Sequence, residues 1–187
     1  QVVPHLLPRV QWLDSLPDEP FVGMILANEV LDALTIERFA LRGGEVNALG
    51  VSSEFGQLQL AEVRAASRLV AAVRRIEADA GIALPDGYES EVCTGLAPWF
   101  ESIAYSLERG VLLFIDYGLP RREYYSAERT RGTLLCHFRH QFHDDALIRV
   151  GLQDITAWVD FTAVAEAAQG AGCEVAGYTT QAHFLIG

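Results

Sequence analysis

The chain contains no lysine, so its 14 basic residues are all arginines, and they are set against 25 Asp and Glu residues. The resulting formal net charge of −11 at pH 7 argues against general nucleic-acid binding, which requires a basic surface that displaces counterions from phosphates. The same charge suits a basic protein partner, although it equally serves to keep a protein soluble.

Cysteines and long apolar runs are also scarce. The three cysteines are widely spaced and odd in number, which favours reduced thiols in a cytosol-like compartment over a disulfide framework. No apolar stretch approaches the ~20 residues of a membrane helix, so we expect no membrane span. A chain of 187 residues, 50% of them hydrophobic, suits one domain with a substantial core.

The segment from Phe21 to Leu34 carries the strongest local pattern. Phe21 to Ala27 are all apolar or glycine, which predicts a strand buried on both faces, as in parallel sheets. Asn28, Glu29 and Asp32 follow at the strand end, where open α/β sheets bind ligands. We expect Asn28 to cap a helix on which the two acids share a face. The alternative is an ordinary capped helix with a solvated acidic face.

A second apolar strand, Val111 to Ile115, ends at Asp116-Tyr117-Gly118. These residues should open onto the same edge of the sheet. Alternatively, Asp116 is a turn acid and Tyr117 simply packs.

The remaining pattern predicts an α/β sandwich with an antiparallel excursion. Predicted strands are 10–13, 36–41, 45–51, 58–63, 88–93, 134–138, 155–159 and a closing pair starting with 174–180. Predicted helices are 65–80, which ends at Gly81, 94–108, and 161–171, for which Asp160 is a candidate cap.

Five collinear blocks resemble the MidA-like family of S-adenosylmethionine-dependent methyltransferases, which includes a mitochondrial complex I assembly enzyme that modifies a protein arginine. The blocks are ANEVLDAL (27–34), LLFIDYG (112–118), RGTLLCHFRHQFHDD (131–145), GLQDITAWVDF (151–161) and TTQAHFLIG (179–187). Thr35 departs from the family, which usually has proline there.

The resemblance implies the later half of a Rossmann-like methyltransferase sheet, with residues 36–93 as a family-specific insertion in a single partial domain, 1–187. The glycine-rich cofactor loop of the family has no counterpart here. We therefore expect a C-terminal part of a longer protein, inactive alone. The family would place it in the cytoplasm if bacterial, or in the mitochondrial matrix if eukaryotic. The oligomeric state stays open.

The resemblance also implies roles for individual residues. Glu29 and Asp32 match the acids of the family block and are the predicted catalytic pair, because two carboxylates suit a planar, charged guanidinium. Asn28 should lie near the methionine portion of S-adenosylmethionine, and Asp14 near its adenine. The partner would be a protein substrate, such as a respiratory-complex subunit.

Further substrate-side residues are predicted beside Asp116 and Tyr117. The histidine-rich segment invites a metal interpretation, but its spacing is poor for ligation, and we expect His140, His143 and Asp144 to shape a substrate channel without metal. Two further groups have polar residues at alternate positions, which would place them on one face of a strand: Asp154, Thr156 and Asp160, and Gln181 and His183. Their alternative roles are strand-edge hydrogen bonding and helix capping.

Three function classes follow from these patterns. The leading hypothesis is a protein methyltransferase that uses S-adenosylmethionine. The others are a non-catalytic binding module that recognises a partner through its acidic surface, and a metal-dependent hydrolase built on the histidine cluster.

Overall fold

A computed structural model describes residues 3–187 of the chain as a mixed α/β fold. Its strands are β1 (Phe21–Asn28), β2 (Glu37–Arg42), β3 (Glu45–Glu54), β4 (Gln57–Arg64), β5 (Glu89–Val92), β6 (Leu107–Ile115), β7 (Gly118–Leu119), β8 (Leu135–Phe138), β9 (Gln141–His143), β10 (Asp154–Thr156) and β11 (Val159–Asp160). Its α-helices are α1 (Ser67–Ala80), α2 (Leu96–Tyr105), α3 (Arg121–Tyr124), α4 (Phe161–Gly170) and α5 (Gln181–Ile186), and a 3₁₀ helix covers Pro4–Arg9.

The two apolar strands form a parallel pair. β1 lies beside β6 with Asn28 opposite Ile115, so both strands end at the same edge, as the sequence predicts. Helices α2 and α4 pack together beside this pair. Their contact encloses a core of Leu31, Leu96, Phe100, Val159, Val164 and Ala167.

Between β1 and β6 the chain builds a four-stranded antiparallel sheet in the order β4-β3-β2-β5. Helix α1 packs on it through Leu69, Val73 and Ile76, whose spacing of three to four places them on one helical face. The helix ends at Gly81 with φ +63°, a left-handed conformation that glycine adopts without steric cost. The predicted helix 65–80 and the predicted strands 36–41 and 45–51, which pair antiparallel as β2 and β3, are therefore confirmed, while a family-specific insertion over 36–93 stays a prediction.

Four local predictions are wrong. Residues 10–13 are exposed and irregular, and residues 174–180 form no strand but lead into α5, which Thr180 caps by accepting from the N–H of His183. β1 is not buried on both faces, because every second side chain along it is exposed. No helix follows Asn28: Glu29 adopts a left-handed backbone, which cannot begin a right-handed helix, and residues 31–34 form only a turn.

Between β10 and β11 the chain passes from one sheet to another, so Asp154, Thr156 and Asp160 do not share one strand. The first two lie in β10, which pairs with β8, and Asp160 lies in β11, which pairs with β7. Among the helices of residues 3–187, none has the length and apolar character needed to cross a membrane.

Candidate functional site

The acidic turn, residues 29–34, begins where β1 ends. Glu29 adopts φ +52°, a left-handed backbone that is uncommon for residues other than glycine. Its N–H donates to the carbonyl of Ile115 at 2.9 Å, which ties the turn to the end of β6. Such a conformation costs about 1–3 kcal/mol and persists only where the surroundings impose it. The neighbouring strand supplies that constraint here.

Asp116 binds the backbone of this turn. Its Oδ2 accepts from the N–H groups of Val30, Leu31 and Asp32 at 3.1, 2.9 and 3.3 Å, and its Oδ1 accepts from the N–H of Tyr117 at 2.8 Å. Successive amides that converge on one anion form a concave anion-binding nest. Asp116 is thus the occupant of the nest and fixes the backbone of the turn.

Tyr117 reaches the other acid of the turn. Its hydroxyl donates to Glu29 Oε1 at 2.9 Å. This hydrogen bond to a carboxylate is the main cause that raises the pKa of Tyr117, since the bond favours the protonated phenol. Glu29 itself is exposed, so its carboxylate is oriented from one side and open to solvent on the other.

Asp32 is the buried acid, with 8% of its surface exposed. Its Oδ1 is enclosed and accepts no hydrogen bond from the described part of the chain. Burial raises the pKa of Asp32, and the negative charges of Asp116, Glu29 and Asp154 raise it further. A desolvated carboxylate among like charges is a frequent mark of a functional site. A cation bound there would relieve both unfavourable effects.

A buried network supports the segment that packs against this turn. The carbonyl of Asp32 accepts from the N–H of Ala157 at 3.1 Å, and the next N–H, of Trp158, donates to Thr133 Oγ1 at 2.9 Å. Thr133 is in turn bound through its N–H to Glu91 Oε1 at 2.7 Å, and Glu91 is only 1% exposed. Glu91 and Thr133 were not predicted as site residues; the only local signal for Glu91 is an acid at a buried strand position, and Thr133 has none.

The predicted cofactor residues lie apart from this network. Asn28 is exposed at the last position of β1, beside the acidic turn, and it caps no helix. Asp14 is exposed in the irregular segment that precedes β1. Their contact with the cofactor stays a prediction.

The histidine segment forms a hairpin of β8 and β9. His140 lies in its turn with φ +64°, and His143 pairs across the strands with Cys136. Both ring nitrogens of His143 are enclosed without a partner among the described residues. Asp144 is exposed, 3.7 Å from Arg131. Over residues 3–187 no group of three or more His, Cys, Asp or Glu side chains is arranged to hold a metal ion.

Asp160 has the structural role that the sequence left as its alternative. Its Oδ1 caps α4 by accepting from the N–H groups of Thr162 and Ala163, and its Oδ2 accepts from Arg121 Nε at 3.0 Å. Asp154 and Thr156 lie on β10, the strand adjoining Ala157. Gln181 and His183 lie on α5, and His183 Nδ1 is 2.8 Å from its cap, Thr180 Oγ1.

The chain is similar to known proteins in sequence and in structure. A family model described as "Putative S-adenosyl-L-methionine-dependent methyltransferase" matches residues 1–179. The chain belongs to this family, which uses S-adenosylmethionine. No curated protein matches the chain. The family assignment does not favour the binding-module and hydrolase hypotheses.

Two crystal structures of Burkholderia thailandensis proteins from one superfamily are similar to the chain. One is a candidate methyl transferase bound to S-adenosyl-homocysteine, with 41% identity and a TM-score of 0.89 over 98% of this chain and 46% of that one. The other is a native structure of an uncharacterised protein, with the same identity and TM-score over 98% and 48%. The chain therefore spans about half the length of the solved structures that it matches.

The acidic turn fits the charged part of the cofactor. S-adenosylmethionine carries a sulfonium cation, and a buried carboxylate such as that of Asp32 stabilises nearby positive charge most strongly where water is excluded. Asn28, exposed beside the turn at the end of β1, is the residue that would face the methionine portion of the cofactor.

Proposed function

We propose that this chain supplies the acceptor-binding side of a methyltransferase that modifies an arginine side chain of a protein partner. The observation that carries the proposal is the pair of acids at the common end of β1 and β6: Asp32 is buried, with an Oδ1 that accepts no hydrogen bond from residues 3–187, and Glu29 accepts one from the phenol of Tyr117. The family assignment supports methyl transfer, and the sequence resemblance supports arginine as the acceptor.

When bound, S-adenosylmethionine supplies an electrophilic methyl group. The residues of this chain would then act by positioning the acceptor nitrogen, and correct orientation alone accounts for a large part of the barrier in such reactions. A guanidinium is planar and permanently charged, and it pairs with carboxylates through parallel hydrogen bonds. Carboxylates bound to two of its nitrogens concentrate the positive charge on those two. The third nitrogen then carries less positive charge and becomes the better nucleophile.

The electrostatics of the turn match a cationic acceptor. Burial raises the pKa of Asp32, so this carboxyl ionises less readily than an ordinary aspartate. A guanidinium that contacts it would stabilise the ionised form and regain the cost of desolvation. The acidic turn thus favours a cationic side chain over a neutral one, and the net charge of −11 suits a basic protein partner.

The test uses Glu29→Gln and Asp32→Asn in the full-length protein. Each variant removes one of the two carboxylate charges. Losing one partner of a charge pair that is buried when the acceptor binds costs roughly 2–5 kcal/mol, or about thirtyfold or more in rate. The measurement is transfer of labelled methyl groups to arginine in the proteins of a host strain that lacks the gene.

Glu101→Gln is the matched control, because Glu101 is an exposed acid on α2 and its loss should leave the rate unchanged. Wild-type rates in both Glu29→Gln and Asp32→Asn would contradict the proposal. Labelling of residues other than arginine would keep the methyltransferase and change its acceptor.

A further inference from the structure

Two residues beyond the end of β6 each hold a different part of the acidic turn. We propose that Asp116 and Tyr117 are positioning residues: Asp116 fixes the backbone that carries Asp32, and Tyr117 orients the carboxylate of Glu29. The role in methyl transfer rests on the function proposed above, whereas the positioning itself is a property of the fold and is testable without any activity.

Asp116 spends most of its hydrogen-bonding capacity on the backbone. Each oxygen of an ionised carboxylate offers about two lone-pair positions; Oδ2 of Asp116 accepts three N–H bonds and Oδ1 accepts one, so only Oδ1 keeps a free position. The residue is half-buried, and all four donors are backbone groups. The structure therefore assigns to Asp116 a positioning role, while its predicted contact with the substrate stays a prediction.

Tyr117 acts through the side chain of Glu29. The two residues are 88 positions apart in sequence, and an exposed pair of this kind is usually weak because both side chains must be ordered. Here the backbone on each side is already fixed. Glu29 N–H donates to the carbonyl of Ile115, and the carbonyl of Tyr117 accepts from Val159 N–H at 2.8 Å. The phenol binds Oε1, which leaves Oε2 of Glu29 for the acceptor.

The kinetic test is Tyr117→Phe in the full-length protein, which keeps the ring and removes only the hydroxyl. Freed rotation of Glu29 should raise KM for the arginine-containing acceptor about three- to tenfold and leave the melting temperature unchanged. In a Glu29→Gln background the same change should add little, because the two side chains act as one unit. Tyr178→Phe is the matched control, since both tyrosines are 59% exposed. Equal KM values for wild type and Tyr117→Phe would overturn the role of the phenol.

Two measurements test the positioning without an assay of methylation. Asp116→Ala should increase hydrogen exchange at the amides of residues 30–32, and Asp116→Asn, which keeps one acceptor oxygen, should give an intermediate increase. Glu29→Gln should lower the pKa of the Tyr117 phenol toward its ordinary value in an NMR titration, because the hydrogen bond that raises it is weakened.

The combined outcomes separate the two proposals. Faster exchange and a lowered phenol pKa in a protein that methylates no arginine would uphold the positioning and reject the proposed function. Unchanged exchange in Asp116→Ala would overturn the role of Asp116 even in an active enzyme.

Discussion

The antiparallel sheet with α1 and the parallel pair β1–β6 differ in how completely they are packed. In the antiparallel region Phe39, Leu69 and Tyr88 have no exposed surface. In β1 every second side chain is exposed, and Val22, Met24 and Leu26 keep 57%, 59% and 63% of their surface. The candidate site lies at the end of this less buried region, so packing and candidate chemistry are separated in the fold.

This difference shows where the chain gains its stability. Apolar burial contributes roughly 25 cal/mol per Å². Most of the buried side chains of this region lie on α1, β2 and β5, whereas β4 at the sheet edge is mostly exposed. A parallel strand normally has both faces covered, whereas the outer face of β1 forms an exposed apolar strip that continues into Val111, 52% exposed. Exposed apolar strips of this kind often contact another protein surface.

The largest expected effect is in the antiparallel core. Phe39→Ala should lower the free energy of unfolding by about 3–5 kcal/mol, because the ring is fully buried and its removal leaves a cavity. Leu26→Ala, on the exposed face of β1, should change it by less than about 1 kcal/mol. Urea unfolding of the 187-residue chain measures both. Similar losses for the two variants would show that the regions are equally packed.

A second large effect is expected at Arg121, which the sequence analysis did not single out. Arg121 is 6% exposed and bonds Asp160, Glu166 and Asp79. Arg121→Met leaves Asp160, whose side chain is only 11% exposed, without its cation, which costs about 3–5 kcal/mol.

The pH dependence of the Arg121→Met loss identifies its cause. Burial already raises the pKa of Asp160 and Arg121 opposes that rise, so removing Arg121 raises the pKa further. A raised pKa in the folded state stabilises the fold below the unfolded pKa, and this contribution is lost as pH increases through the folded value. The loss in Arg121→Met should therefore be larger at pH 7 than at pH 4. Equal losses at both pH values would show that packing, and not charge, is responsible.

The sequence predicts the parts of the fold that depend on local patterns. The apolar runs identify β1 and β6, and helical spacing with a terminal glycine identifies α1. Prediction fails where a distant group decides the outcome. The helix expected after Asn28 is absent because Glu29 is held in a left-handed backbone, with its N–H donating to the carbonyl of Ile115 on the distant strand β6. No local pattern contains that contact.

The candidate site follows the same rule. The strand-end acids Glu29 and Asp32 are identifiable from sequence because they follow an apolar run, and the structure brings both to the edge beside Tyr117. At residues 154–160 and 181–183, period-two spacing suggests shared strand faces. The chain instead changes sheets in the first case and is capped by Thr180 as a helix in the second. A capping side chain outweighs polar alternation over so few residues.

The smallest expected effect has the opposite sign and lies in the acidic turn. Burial and the charges of Asp116, Glu29 and Asp154 raise the pKa of Asp32 above its unfolded value. Its ionisation therefore opposes folding at neutral pH, and the contribution favourable to folding is present only below the unfolded pKa. Asp32→Asn should thus stabilise the fold at pH 7 by about 0.5–2 kcal/mol, as often happens when a strained functional group is removed.

The gain in stability should shrink toward pH 4, where Asp32 itself takes up a proton. Thermal melts at the two pH values measure this. A variant that is less stable than wild type at pH 7 would mean that Asp32 is a structural acid, and the separation of packing from chemistry would not hold at this residue.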